Sequence, residues 1–169
     1  MKRLIVYIIE VILCYLIQSA MFHYIALVGV MPNLLLILVV STAYMRGKLP
    51  GMTLGLCCGL LVDLMSGSSV VGLCALIYML IGYVIGLSNR FYTNDDYTLP
   101  IILIAVSDFF YGFFYYIFEF LLRGRLNFPY YFSRLILPEI IYTVAVSVFL
   151  YKLLHMINNR LEKSPDEEG

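Results

Sequence analysis

Long apolar stretches follow one another along this chain, and only short polar connections separate them. The first stretch, from Leu4 to Leu27, contains a single charged residue, Glu10. A helix needs about 20 predominantly apolar residues to cross a bilayer, so this stretch is long enough. Charged residues make up only 13% of the sequence, whereas soluble domains contain about 25%. The chain is therefore predicted to be an all-α polytopic membrane protein.

Prolines, glycines and charged residues divide the apolar sequence into about six predicted transmembrane spans. These spans cover residues 4–27, 34–44, 51–65, 70–87, 99–122 and 134–157. The second and third are short, so they could tilt, thin the bilayer locally or form a re-entrant pair. We expect one transmembrane domain, residues 1–157, followed by a polar cytoplasmic tail, residues 158–169.

The distribution of Lys and Arg predicts the orientation of the chain. Six spans place both termini on one side of the membrane, and that side carries eight of the eleven basic residues. Because basic connections are retained in the cytoplasm, both termini are predicted to be cytoplasmic. The formal net charge is zero, which gives no electrostatic support for nucleic-acid binding.

The third span contains small residues at a regular interval of four. One helix face carries Gly51, Gly55, Gly59 and Asp63. The fourth span repeats the interval with Gly82 and Gly86. Because small residues at this spacing let two helix backbones approach closely, the pattern predicts a helix-packing seam, either within one chain or between two chains.

Asp63 ends the glycine face, and an ionised carboxylate in hydrocarbon needs a partner. One interpretation is an ion pair with a basic residue near the same surface, for which Arg123, Arg125 and Arg134 are the candidates. The other is that the carboxylate caps the tight turn between Ser66 and Ser69 and fixes the hairpin of the third and fourth spans. Both interpretations are open from the sequence.

Further acidic residues lie within the predicted spans. Glu10 and Asp108 are deep, whereas Glu119 and Glu139 are closer to the outer surface. Gln18 lies nearly on the same helix face as Glu10. Such residues could line a proton or substrate route, or bind a helix of another protein.

The sequence predicts no metal site, no cofactor site and no catalytic activity. The four cysteines, Cys14, Cys57, Cys58 and Cys74, have no metal-ligand spacing with one another or with a histidine. The surroundings of the intramembrane aspartates match no peptidase motif, and the chain contains neither GxSxG nor HExxH.

Two segments resemble a known family. One is the Met-Pro-Asn sequence and leucine run that opens the second span, and the other is Gly-Leu-x-x-Asp-Leu-x-Ser-Gly at the end of the third span. Both are similar to segments of MreD, the rod-shape-determining family, and the chain length and span number also agree. The matching positions are Pro32, Asn33, Gly59, Leu60, Asp63, Leu64, Ser66, Gly67 and Gly72.

The resemblance implies a non-catalytic component of the machinery that elongates rod-shaped bacteria, located in the cytoplasmic membrane and surrounded by lipid. It implies an MreC-like partner and, through it, the MreB filament and the peptidoglycan synthases. It also implies a six-helix fold similar to that of the substrate-binding subunits of energy-coupling vitamin transporters. The candidate packing or partner-contact residues are then Gly51, Gly55, Gly59, Asp63, Ser66, Gly67, Pro32 and Asn33.

A transport subunit is the alternative from another functional class. Glu10, Gln18 and Asp108 would then be the polar contacts of a small vitamin-type ligand in a concave pocket. In the last span, Glu139 and Thr143 depart from the MreD pattern, in which an uncharged residue and often an asparagine are expected. The contacts of that span are therefore open.

Overall fold

A computed structural model describes residues 2–25, 30–67, 70–93, 95–121, 123–124 and 127–163, and all regular structure in these ranges is helical. The helices in these ranges are α1 (Lys2–Ile25), α2 (Leu34–Arg46), α3 (Lys48–Ser66), α4 (Leu73–Leu87), α5 (Thr98–Tyr116) and α6 (Phe128–Lys163). A 3-10 turn, Ser88–Phe91, extends α4, and a π-helical turn, Ile117–Leu121, extends α5. All but α2 are long and apolar enough to cross a membrane. The predicted all-α multi-pass membrane fold is confirmed.

Helix α2 is the centre of the bundle. Every residue from Leu34 to Met45 is buried, on all sides of the helix. Its 13 residues correspond to about 20 Å of helix, which is less than the roughly 30 Å of a hydrocarbon core. A helix that is apolar all round is stable when other helices surround it, and α1, α3, α4, α5 and α6 all pack against α2.

The surrounding helices turn apolar side chains outward. On α1, the leucines and isoleucines between Leu4 and Ile17 are 50–63% exposed. Phe149 on α6 is 80% exposed. This surface would be unfavourable in water, and in a membrane it is covered by lipid tails. The core therefore lies around α2, and the outer faces of the other helices form the lipid-contacting surface.

Both ends of α2 are fixed by hydrogen bonds to other helices. At its carboxyl end, Arg46 donates from Nε to Asn158 Oδ1 on α6 at 2.7 Å. The Tyr44 hydroxyl donates to the Phe91 carbonyl at 3.0 Å, and Asn89 Nδ2 donates to the Tyr44 carbonyl at 2.7 Å. These bonds hold the carboxyl ends of α2, α4 and α6 together at one end of the bundle.

The two ends of the described chain lie at this same end of the bundle. One shallow cavity there is lined by Arg3 at the start of α1 and by Glu162 near the end of α6, together with Arg46 and Pro50. This arrangement agrees with an even number of membrane passes.

Several helix boundaries differ from the predicted ones. The third span is longer than predicted, because α3 begins at Lys48 immediately after Gly47, whose φ of 100° makes the sharp turn from α2. Helix α4 begins at Leu73 instead of Val70, because residues 70–72 form a turn. Helix α6 begins at Phe128, before the predicted start at Arg134, and continues beyond Ile157 to Lys163.

Candidate functional site

The predicted glycine seam joins α3 to α4 within one chain. A Cβ added at Gly55 would overlap the Tyr78 carbonyl oxygen, and one added at Gly59 would overlap the Ala75 backbone. A Cβ at Gly51 would lie 2.8 Å from the carbonyl oxygen of Gly82. Real Cβ atoms do not approach so closely, so the two backbones are in direct contact along the seam. Of the two alternatives, the structure supports a seam within the chain.

Asp63 caps the amino terminus of α4. Its Oδ2 accepts hydrogen bonds from the backbone N–H groups of Gly72 at 2.9 Å and Ala75 at 3.3 Å, and its Oδ1 accepts one from Cys74 at 3.2 Å. The first N–H groups of a helix have no partner within that helix. Gly72 occupies the N-cap position and has no side chain to serve as acceptor, so a carboxylate from α3 serves instead.

The turn between α3 and α4 requires glycine at two positions in and after the Gly-Leu-x-x-Asp-Leu-x-Ser-Gly segment. Helix α3 ends at Ser66, and Gly67 adopts the left-handed conformation with φ 54°. Gly72 then has φ 100° before α4 begins. Both positions favour glycine because other residues are strained there. The two glycines reverse the chain so that α4 starts beside Asp63.

The described acceptor contacts of Asp63 are at the start of α4, where they join α3 to α4. The cap of the turn between Ser66 and Ser69 stays a prediction. Ser68 and Ser69 lie outside the described residues, as does Arg125. Arg123 pairs with Glu119 at 3.4 Å, and the Arg134 guanidinium lies over the Tyr130 ring.

Asn33 joins three helices at the amino end of α2. Its Oδ1 accepts a bond from the Leu36 N–H at 3.3 Å, which caps α2, and another from the Tyr78 hydroxyl on α4 at 2.6 Å. Its own N–H donates to Thr143 Oγ1 on α6 at 3.2 Å. Pro32, which precedes it, is also buried. The Pro-Asn pair therefore positions the central helix.

Tyr78 and Tyr111 connect the Asn33 and Asp63 sites. The rings of these tyrosines contact edge to face at 5.3 Å. The Tyr111 hydroxyl lies 3.8 Å from Cys74 Sγ, and the Cys74 N–H bonds to Asp63. The sequence analysis assigned no role to Tyr78 or to Tyr111. A tyrosine inside a strongly apolar span was the available signal, because its hydroxyl needs a partner when buried.

The three residues proposed for a transported ligand do not converge. Gln18 Oε1 accepts a bond from the Leu35 N–H at the amino end of α2. Glu10 lines a small cavity with Arg46 at the opposite end of that helix. Leu35 and Arg46 are 11 positions apart on α2, which corresponds to about 16 Å along the helix. Asp108 lies on α5 and is buried.

An apolar groove runs between α4 and α5 on the outside of the bundle. Its volume is about 490 Å³, and all the side chains that line it are apolar except Ser107. The lining residues on α4 are Leu76, Ile77, Leu80, Ile81, Val84 and Ile85, and those on α5 are Val106, Ser107, Phe110, Phe114 and Phe118. Its shape and chemistry suit an acyl chain or an apolar helix.

The cysteines in the described part of the chain are all free; Cys57 is exposed and the other three are buried. Among the described residues, no group of three or more His, Cys, Asp and Glu side chains could hold a metal ion.

Comparison with known proteins relates the whole helical region to one family. The family model described as rod shape-determining protein MreD matches residues 1–160. No curated protein matches the chain, and no solved structure does. The match includes all six described helices up to Arg160, so it covers the central helix, the glycine seam and the Asp63 cap. The chain belongs to the MreD family of rod shape-determining membrane proteins.

Proposed function

We propose that this protein is a non-catalytic scaffold of the bacterial cell-elongation machinery that binds the transmembrane helix of an MreC-like protein. Through that partner it would connect to the MreB filament and the peptidoglycan synthases. It would lie in the cytoplasmic membrane with both termini in the cytoplasm. Membership of the MreD family supports a role in rod shape, and the following features support helix docking as the mechanism.

The observation that carries this proposal is the rigid α3–α4 hairpin. Backbone contact along the glycine seam fixes the two helices side by side, and Asp63 fixes the start of α4. A surface that is already rigid loses little conformational entropy when a partner binds. The hairpin therefore offers a preorganised platform to a second membrane helix.

We assign the groove between α4 and α5, one wall of which belongs to this hairpin, to the MreC-like helix. It has the concave, apolar form that a single helix can fill, and Phe110, Phe114 and Phe118 line one wall at helical intervals. In lipid, helix association depends on close packing, because an apolar side chain gains no hydrophobic free energy when it moves from acyl chains into a protein interface. A groove that a helix can fill meets this requirement.

The charge distribution supports the proposed orientation. Arg3, Arg46 and Lys48 lie at or beside the end of the bundle where α1 starts and α6 ends. Positive charge near the ends of membrane helices is retained on the cytoplasmic side.

A tryptophan substitution in the groove tests the docking surface. Leu80→Trp would fill the groove, and Leu153→Trp on α6 is a matched control, since the two leucines are 52% and 50% exposed. We expect Leu80→Trp to lower recovery of the MreC-like protein with the tagged scaffold at least about fivefold, which corresponds to roughly 1 kcal/mol of binding free energy. Leu153→Trp is expected to recover the partner normally.

Cell width measured in the native host provides the functional readout. Cells that carry Leu80→Trp should widen or round during growth, whereas cells with Leu153→Trp should keep the wild-type width. Normal partner recovery with Leu80→Trp would contradict docking in the groove. Unchanged cell shape on depletion, with growth arrest only when a vitamin is withheld, would contradict the scaffold and favour the transport subunit.

A further inference from the structure

Asp108 is a buried acidic residue that the scaffold function does not use. It lies near the middle of α5 and is only 2% exposed. Neither carboxyl oxygen has a hydrogen-bond partner in the described part of the chain. The Thr143 hydroxyl lies beside this carboxyl group, outside good hydrogen-bond geometry. A polar group in this position is costly unless something binds to it.

Glu139 on α6 lies at the same depth as Asp108. The contact between Gly112 and Ile136 shows this, because an added Cβ at Gly112 would lie 3.2 Å from Ile136 Cγ1. Asp108 is one turn before Gly112, and Glu139 is about one turn after Ile136. Since α5 and α6 run in opposite directions, these steps bring the two carboxyl groups to one level. Because each residue is about one turn from this contact, both lie on the sides of α5 and α6 that face each other.

Within the described part of the chain, no positive side chain lies beside this pair. The titratable side chains that face it are Tyr78 on α4, Tyr111 on α5 and Tyr131 on α6. None of the described Lys, Arg or His side chains pairs with Asp108 or Glu139. Two ionised carboxylates in this setting would repel each other without compensation.

The amino end of α2 lies beside the pair and favours one negative charge. Thr143 accepts the Asn33 N–H and also lies next to Asp108, so Thr143 stands between the α2 cap and the carboxyl group. The amino end of a helix carries about half a positive charge. This partial charge can offset one carboxylate but not two.

We infer that Asp108 and Glu139 bind a single proton between them and together form an intramembrane proton site. One carboxyl group keeps the proton and the other remains a carboxylate. The proton thus neutralises one member of a pair for which the described residues supply no cation, and it reduces the charge of the pair to minus one. This inference does not depend on MreC binding.

Labelling with dicyclohexylcarbodiimide tests the site, because this apolar reagent reacts with protonated carboxyl groups in apolar surroundings. The purified full chain in lipid nanodiscs would be labelled across a pH series, and peptide mapping by mass spectrometry would locate the adduct. We expect adducts on Asp108 or Glu139 near neutral pH, with yield falling as the pH rises. At a given pH, we expect the same adduct yield in sodium chloride as in choline chloride, because the site binds a proton and not Na⁺.

The variant Asp108→Asn separates a shared proton from two independent groups. Without the neighbouring carboxylate, Glu139 should lose its proton more readily, so its labelling profile should move to lower pH by at least about one unit. The control Glu10→Gln removes another intramembrane acid and should leave the Glu139 profile unchanged.

Several results would overturn the inference. These are the absence of an adduct on either residue at every pH, an unchanged Glu139 profile in Asp108→Asn, and suppression of labelling by Na⁺, which would assign the site to that ion. If Asp108→Asn does not yield folded protein, the infrared spectrum of the wild type decides. A protonated carboxyl band that persists at neutral pH supports the site, and its absence contradicts it.

Discussion

Replacement of the buried Asp63 by alanine should destabilise the start of α4. The change removes the acceptor of three backbone N–H groups, those of Gly72, Cys74 and Ala75. It leaves the apolar seam between α3 and α4 unchanged in composition. The measured effect should therefore report the cap itself.

The expected magnitude follows from the burial of the three donors. Cys74 is 0% and Ala75 is 3% exposed, so their N–H groups cannot turn to water and should each cost about 1.5 kcal/mol when the acceptor is lost. Gly72 is partly exposed and should cost less than about 1 kcal/mol. The free energy of unfolding should fall by about 3 to 4 kcal/mol.

Asp63→Asn refines this prediction. An amide keeps one acceptor oxygen, which can serve Gly72 and Ala75, but its NH₂ group then faces the Cys74 N–H as a second donor. We expect a loss of about 1 to 2 kcal/mol, so the stability should decrease in the order wild type, Asp63→Asn, Asp63→Ala.

Reversible unfolding by sodium dodecyl sulfate in mixed micelles, followed by circular dichroism, measures these free energies. Hydrogen exchange at residues 72–75 gives a local readout, and exchange there should accelerate in Asp63→Ala before it does in α1. Asp95→Ala, in the exposed connection before α5, is the control and should change stability by less than about 0.5 kcal/mol. Equal stability of Asp63→Ala and wild type would refute the capping argument.

Two further predictions concern the seam and the buried Asn33–Tyr78 bond. Gly59→Leu should prevent recovery of monodisperse protein, because the leucine side chain would overlap the Ala75 backbone. The control Cys57→Leu, at an exposed position of the same helix, should be tolerated. Comparable size-exclusion profiles of the two variants would contradict direct backbone contact. Tyr78→Phe and Asn33→Ala should each lower the free energy of unfolding by about 1 to 2 kcal/mol. A double-mutant cycle should give a coupling free energy of about 1 kcal/mol between the two residues. Additive losses would show that the 2.6 Å bond between Tyr78 and Asn33 contributes nothing to stability.

Much of the architecture could be predicted because membrane helices leave strong local signals. The apolar lengths predicted the helices, and the interval of four between Gly51, Gly55 and Gly59 predicted a close-packed face. Proximity in sequence also suggested that Asp63 stabilises the following hairpin. The donors described at the start of α4, nine to twelve residues away, were missed because the path of the chain through Gly67 and Gly72 decides which N–H groups Asp63 meets.

The sequence by itself determined that this chain is a bundle of apolar helices, with a glycine seam in the third span and an MreD-like pattern around Asp63. Only the tertiary structure decided that α2 is the central helix, that Asn33 bonds to Tyr78 and Thr143, and that Asp108 is buried at the level of Glu139. The physical reason is the range of the interactions. Helix formation and membrane insertion depend on neighbouring residues, whereas the bond between Asn33 and Thr143 joins positions 110 residues apart. Which helices become neighbours depends on the packing of the whole bundle, and no local pattern encodes it.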